Sequence, residues 1–171
     1  MWVALGLGSN REARQNLAAC LDALLLRFRD MAMSSVFRSR AAGEAGGADY
    51  LNMVVAFDCE LSLPELHAFT KELERKLGRG RDADGAVSID VDILLYGELR
   101  GRHAGIELPR PQLLEAAWVL WPLAQVAGKR RHPLLKQTYK ELWEHFAGDR
   151  SGISAVDFEW HGRRLSHAAP A

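Results

Sequence analysis

Apolar residues arrive in short bursts separated by polar, glycine-bearing stretches. Residues 2–7 (WVALGL) are apolar and end at Gly-Ser-Asn, which reads as a buried strand entering a turn. Leu17, Cys20, Leu21, Leu24, Leu25 and Phe28 then recur at spacings of three and four, one apolar face of a helix. Asn10 or a nearby residue is the expected cap. Residues 31–38 (MAMSSVFR) read as a second strand, and 50–60 (YLNMVVAFDCE), with β-branched and aromatic content, as a third. Between them, 39–49 (SRAAGEAGGAD) carries no period and reads as a loop. A second helix begins at SLPELHAFTKELERKLG. There Ser62 caps, Glu65 returns the bond, Pro64 sits in the first turn and Gly78 stops the helix. Leu66, Phe69, Leu73 and Leu77 line its apolar face. A polar loop, 79–87 (RGRDADGAV), precedes a fourth strand, SIDVDILLYG. Helices are expected around 112–127 and 134–147, the latter on Leu135, Tyr139, Leu142, Trp143 and Phe146. The tail from 149 is polar, but ISAVDFEW offers another strand and Trp160 suggests that part of it docks.

The order strand, helix, strand, strand, helix, strand predicts an α+β fold. It is the ferredoxin-like α/β sandwich: an antiparallel sheet of split βαβ units with two helices on one face, plus extra C-terminal helices. A length of 171 residues suits a single domain over 1–171. The formal net charge of zero gives no support to a nucleic-acid footprint. No stretch approaches the roughly 20 apolar residues that span a bilayer, so no membrane partner is expected. The two cysteines, Cys20 and Cys59, form no Cys-x-x-Cys pair, which argues against zinc and for reduced thiols in the cytoplasm. The N-terminus lacks the basic region of a signal peptide. None of the histidines has a trusted ligand spacing. Little in the pattern bears on assembly; a monomer is expected, with a dimer open. The Gly-rich segments 40–48 and 80–87 are expected to be disordered without ligand.

The fourth strand carries the chemistry. Residues i and i+2 project from one face of a strand, so Asp90 and Asp92 point together, with Val91 and Ile93 directed into the core. Adjacent carboxylates repel unless a cation lies between them. Magnesium, which accepts one or two carboxylates with waters and phosphates, would resolve the conflict, and two such ions could bridge a nucleotide's phosphates. A solvated strand edge with two inert acids is the alternative. Arg79 and Arg81 precede the pair, and Arg100, Arg102 and Arg110 follow it; a basic loop facing paired acids suits phosphoryl transfer, though ordinary surface charge is open for each arginine. Tyr50 and Asn52 share a strand face, Tyr50 to stack on a ring and Asn52 to read a heterocycle edge. Trp118 is another aromatic candidate, with core packing the alternative for it and for Tyr50.

Taken together, LGLGSN, FRSRAAG…DYLNMVVAF, ELERKLGR, IDVDILLYG and LPRPQLLEAAWVLWPLAQVAG resemble, in order and spacing, the 6-hydroxymethyl-7,8-dihydropterin pyrophosphokinase family over about residues 3–147. The resemblance implies the ferredoxin-like fold with three catalytic loops. It implies transfer of pyrophosphate from MgATP to the pterin hydroxymethyl group, releasing AMP, in folate biosynthesis. Asp90 and Asp92 match the aspartates that hold two magnesium ions. Asn52 matches the reader of the pterin edge, Tyr50 and Trp118 the aromatics that sandwich the ring, and Gly43 a loop glycine near the pterin. Glu74, Arg79, Ile93 and Arg110 match ATP-side positions, with Arg79 and Arg81 as catalytic loop cations. Ser9 and Asn10 belong to the terminal motif of the first strand.

The chain also departs from the family pattern. Where the family writes R-W-G-P-R-T-L-D-L-D, this chain reads DADGAVSIDVD, placing Val87 at the loop arginine and Asp84 at the loop tryptophan. Arg110 replaces an ATP-contacting histidine and Ala116 a later arginine, and T-P-P-x-G becomes Ser39-Arg40-Ala41-Ala42-Gly43. Arg40, Arg81 and Arg110 are the candidates to supply the missing charge. The departures leave a second reading: a repurposed or impaired paralogue that binds a pterin or nucleotide, or a pyrophosphokinase for a different pterin.

Overall fold

The computed structural model describes residues 1–40, 47–78 and 86–168. The main sheet runs β5(Asp90–Tyr96), β1(Trp2–Ser9), β4(Tyr50–Asp58), β3(Phe37–Ser39) and β8(Ser154–Ala155), with β2(Ala32–Met33) also on β4. Every pairing is antiparallel. Helices α1(Ala13–Arg27) and α2(Leu63–Lys76) complete the split βαβ units of the expected ferredoxin-like α+β fold.

Alternation within the central strands builds two cores. Val3, Leu5 and Leu7 of β1 and Leu51, Met53, Val55 and Phe57 of β4 join Leu17, Leu21 and Leu24 of α1 and Leu66 and Leu73 of α2. The opposite face presents Ala4, Val54, Ala56 and Leu94 to α3(Gln112–Glu115), α4(Ala117–Ala127) and α5(Tyr139–Glu144) through Leu113, Leu120, Leu123 and Tyr139. The sandwich therefore has helices on both faces of the sheet: α1 and α2 on one, and the expected extra C-terminal helices on the other. A register shift between Ala4 and Leu5 where β1 pairs β5 sets Leu95 opposite Ala4 and brings it, together with Leu94, into this second core.

Several local expectations change. The strand expected over 31–38 is two strands. Ser34 interrupts it: its hydroxyl accepts from the Val54 N–H at 2.9 Å, replacing a backbone partner. Asn10 does not cap α1. Glu12 holds that position at φ 43 with no side-chain bond to the helix. Around 112–127 the chain breaks at Ala116, whose extended φ −118 and ψ 117 separate α3 from α4. The helix expected over 134–147 shrinks to α5, because Thr138 and Glu141 form a capping box there, with the Thr138 N–H donating to Glu141 Oε2 at 2.7 Å. For α2 the expected cap is present: Glu65 Oε2 accepts from the Ser62 N–H at 2.8 Å. Gly78, at φ 85, follows its last turn.

The tail adds three strands to the described residues. β8 lengthens the sheet beyond β3, and β9(Phe158–Trp160) with β10(Arg163–Ser166) forms a hairpin on α1. Trp160 is buried, and its indole N–H donates to Asp22 at 2.8 Å. β6(Gly101–His103) and β7(Ile106–Leu108) form a separate hairpin that leads into Arg110.

Candidate active site

The second face of the sheet is not covered along its whole length. Beyond Ala4, β1 shows Gly6 and Gly8 to this side, and a cleft of about 330 Å³ opens there. Antiparallel register sets Asp90 opposite Gly8, Gly8 opposite Asn52 and Asn52 opposite Phe37. The next row is Asp92, Gly6 and Val54. Adjacent strands lie about 4.8 Å apart, so the acid strand and the Asn52 strand are separated by roughly 10 Å across a floor of glycine. Tyr50, Asn52 and Trp118 line one side of the cleft, Asp90 and Asp92 the other.

Asn52 is buried and oriented. Its Nδ2 donates to Ser39 Oγ at 2.8 Å, and its Oδ1 stands over Gly8, where a Cβ would meet it at 3.1 Å. A glycine inside a strand marks such close approaches. Trp118 is 44% exposed at the cleft rim, so it is not the core residue that remained an alternative. Arg40 and Gln112 also line the cleft.

Ser9 and Asn10 tie down the chain that leads into β5. Ser9 Oγ donates to the Ser88 carbonyl at 2.5 Å. Asn10 brackets Val87: its N–H donates to the Val87 carbonyl at 3.1 Å and its Oδ1 accepts the Val87 N–H at 2.6 Å. Its Nδ2 reaches the Ala48 carbonyl at 3.3 Å, so one side chain joins both segments that flank the cleft.

The acid pair sits at the start of β5 with both side chains partly buried, while Val91 and Ile93 face the α1/α2 core. Burial first, and then the neighbouring Asp90 charge, push the Asp92 carboxyl above the ordinary carboxylate range; Arg110 and Lys71 pull the other way. Arg110 Nη2 donates to Asp92 Oδ1 at 2.7 Å. No group of three or more His, Cys, Asp or Glu side chains is gathered around a metal position among the described residues. A pair of carboxylates in which Asp90 disfavours ionisation of Asp92 still fits magnesium, which completes its shell with water and phosphate.

Two of the residues expected on the nucleotide side, Glu74 and Ile93, do not line this cleft. Glu74 is 0% exposed and does not line the cleft; its carboxylate accepts from Lys71 Nζ at 3.0 Å and from the Val91 N–H at 2.9 Å. It anchors the residue between the two aspartates to α2. The Ile93 side chain, 3% exposed, is in the core. Gly43, Arg79, Arg81 and Asp84, and most of the segments expected to be disordered, lie outside the described residues. The sequence reading missed Gly6, Gly8, Ser39, Lys71 and Gln112. Alternating glycines in LGLGSN were the available signal for the first two; the others have none, because only cross-strand and cross-helix register brings them in.

The cleft thus has an amide and aromatics on one side and two carboxylates on the other, an arrangement that can take a flat polar ring at one end and a cation at the other. The model of the 7,8-dihydro-6-hydroxymethylpterin-pyrophosphokinase (HPPK) family matches residues 4–128, and the chain belongs to that family. It is 35% identical over 132 residues to the 2-amino-4-hydroxy-6-hydroxymethyldihydropteridine pyrophosphokinase of Porphyromonas gingivalis, covering 73% of this chain and 90% of that one. Identity is also 35% over 135 residues, covering 77% and 83%, to the enzyme of the same name from Pseudomonas aeruginosa. Among solved structures, wild-type HPPK-DHPS of Plasmodium falciparum with pteroate superposes with a TM-score of 0.70 at 10% identity over 96% of this chain, a likeness of fold. The chain spans about half the length of that protein, 49%.

Proposed function

We propose that this protein transfers pyrophosphate from MgATP to 6-hydroxymethyl-7,8-dihydropterin, giving AMP and the pterin diphosphate of folate biosynthesis. The observation that carries the reading is the row Asp90–Gly8–Asn52: one cleft has a ring-reading end and a phosphate end on either side of a residue without a side chain of its own. Family membership and the names of the relatives support it.

Tyr50 and Trp118 flank the pterin ring, and Asn52 reads its edge with the Oδ1 that Ser39 leaves unengaged. Gly8, with no side chain of its own, leaves room for the hydroxymethyl arm between Asn52 and Asp90. The pterin hydroxyl oxygen forms a bond to the β-phosphorus of ATP. The bond from that phosphorus to the α,β-bridging oxygen breaks, AMP departs with that oxygen, and the hydroxyl proton passes to solvent. Asp90 and Asp92 would hold two magnesium ions, which neutralise phosphate charge in such transfers. Arg40 and Arg110, beside the cleft and the acid pair, meet the remaining anionic oxygens, with Arg79 and Arg81 proposed from the preceding loop. Glu74 acts through Val91, as a positioning residue for the acid pair. The surroundings we infer are a cytoplasmic, monomeric protein, in keeping with two buried free cysteines. Among the described residues no helix is long and apolar enough to cross a membrane. The docked tail is read as part of the same unit.

The test is AMP formation from ATP and magnesium with and without the pterin. Pterin-dependent AMP is expected, lost in Asp92→Ala with pterin binding retained. Folded protein that binds pterin and makes no AMP would instead describe a binder.

A further inference from the structure

One of the two carboxylates already has a cation. Arg110 Nη2 lies 2.7 Å from Asp92 Oδ1, with the two side chains 32% and 23% exposed. The root of Arg110 is fixed to the same strand, because its backbone N–H donates to the Leu94 carbonyl at 3.0 Å. The guanidinium is therefore presented to Asp92 by main-chain geometry as well as by charge. Lys71, the other cation acting on Asp92 among the described residues, is engaged by Glu74 at 3.0 Å.

We propose that Arg110 is a built-in competitor for the divalent cation at Asp92, and that release of the guanidinium couples metal binding to nucleotide binding. The inference rests on the reading of Asp90 and Asp92 as the metal-holding pair. With Arg110 in place, the three side chains sum to one negative charge; with Arg110 withdrawn they sum to two. A divalent ion alone must displace a charge-assisted hydrogen bond and then bear a nearby positive charge. A metal that arrives with a polyphosphate brings Arg110 a second anionic partner, so the guanidinium changes partner instead of losing one. Metal and nucleotide then favour each other, and by linkage the favour is mutual. A neutral residue at this position could not act this way, since it neither shields Asp92 nor follows the phosphates.

The experiment uses the full chain with Mn2+ alone as probe, without nucleotide, followed by the paramagnetic resonance signal of the free ion. Wild type is compared with Arg110→Met, which keeps an unbranched stem as far as the Nε position and removes the charge, and with Asp92→Asn. Arg110→Met is expected to bind Mn2+ roughly three- to tenfold more tightly than wild type, the scale of a partly exposed ion pair. Asp92→Asn is expected to lose measurable binding. Arg110→Lys should fall between wild type and Met, because it keeps the charge and loses the fork. Equal affinity in wild type and Arg110→Met overturns the competitor while leaving the metal pair standing. Absence of binding in every protein, Arg110→Met included, overturns the reading of the pair itself. Urea unfolding of each variant shows whether it is folded; if Arg110→Met is not, Arg110→Gln takes its place with the same expected gain.

Discussion

Replacement of Glu74 probes how the acid strand is held. The carboxylate is fully buried, accepts the Val91 N–H at 2.9 Å and pairs with Lys71 at 3.0 Å. Glu74→Ala leaves the Val91 amide without this acceptor. A buried donor so stranded costs about 1–3 kcal/mol, more toward the upper end when the lost acceptor was charged. Lys71 is 37% exposed and can rehydrate, so its pairing adds under about 1 kcal/mol. Truncation also leaves space in the α2–β5 contact. The sum for Glu74→Ala is a loss of about 3 kcal/mol. Glu74→Gln keeps an oxygen for Val91 and removes the charge, so it should lose only about 1 kcal/mol. Both variants remove the same buried charge, so its desolvation cancels between them. The gap of about 2 kcal/mol holds the bond to Val91 together with the space that truncation leaves. Urea unfolding at neutral pH measures both. Because Val91 lies between Asp90 and Asp92, kcat should follow the same order, with Ala far below Gln. Equal unfolding midpoints for Ala and Gln would refute the argument, since a general electrostatic role predicts that they match.

Other consequences can be checked singly. Gly8→Ala places a Cβ 3.1 Å from Asn52 Oδ1 and must shift a side chain held by Ser39, so the pterin KM should rise about tenfold while stability changes by under about 1 kcal/mol; an unchanged KM would remove the close approach as a cause. The Asp92 carboxyl is raised in the folded state, so its ionisation opposes folding, and stability is lost as pH climbs from the unfolded pKa through the folded one. Asp92→Asn should therefore match or exceed the wild-type urea midpoint at pH 7, an advantage that fades toward pH 3, and a clear drop at pH 7 would contradict this sign. Asp22 is the opposite case: hydrogen bonds from His161 and Trp160 lower its pKa, so its contribution is present above the usual carboxylate range and lost as pH falls through the lowered value. Proteolysis of the tail beyond residue 149 should accelerate in acid below about pH 4, and in Asp22→Asn already at neutral pH; cleavage at one rate under both conditions would show that Asp22 does not hold the hairpin.

Much of the architecture was legible because it is periodic. The i, i+3, i+4 spacing of Leu17, Cys20, Leu21 and Leu24 needs no partner to declare a helix face, and those residues are the buried ones of α1. The capping box at Ser62 and Glu65 is local for the same reason. Where the reading failed, a short-range signal met a competitor. Ser34 looked like a strand residue until its hydroxyl took a bond from Val54, twenty positions away. Thr138, rather than the apolar Leu135, set the start of α5. Asn10 had the chemistry of a cap and spent it on Val87 and Ala48 instead.

What the sequence determined by itself is the pair Asp90 and Asp92 on one strand face, because the two-residue period of a strand leaves no other arrangement. It also determined an aromatic and an amide sharing a face at Tyr50 and Asn52, and the residues that carry the family likeness. Tertiary structure alone decided which groups those side chains meet. Asp92 finds Arg110 across 18 positions and Asn10 finds Val87 across 77. Glu74 accepts the Val91 N–H and so ties β5 to α2, and Gly6 and Gly8 come to line a cleft. The physical reason is that period fixes only the direction of a side chain relative to its own backbone. Its partner is set by register, by a bulge such as that between Ala4 and Leu5, and by closure of the intervening loops.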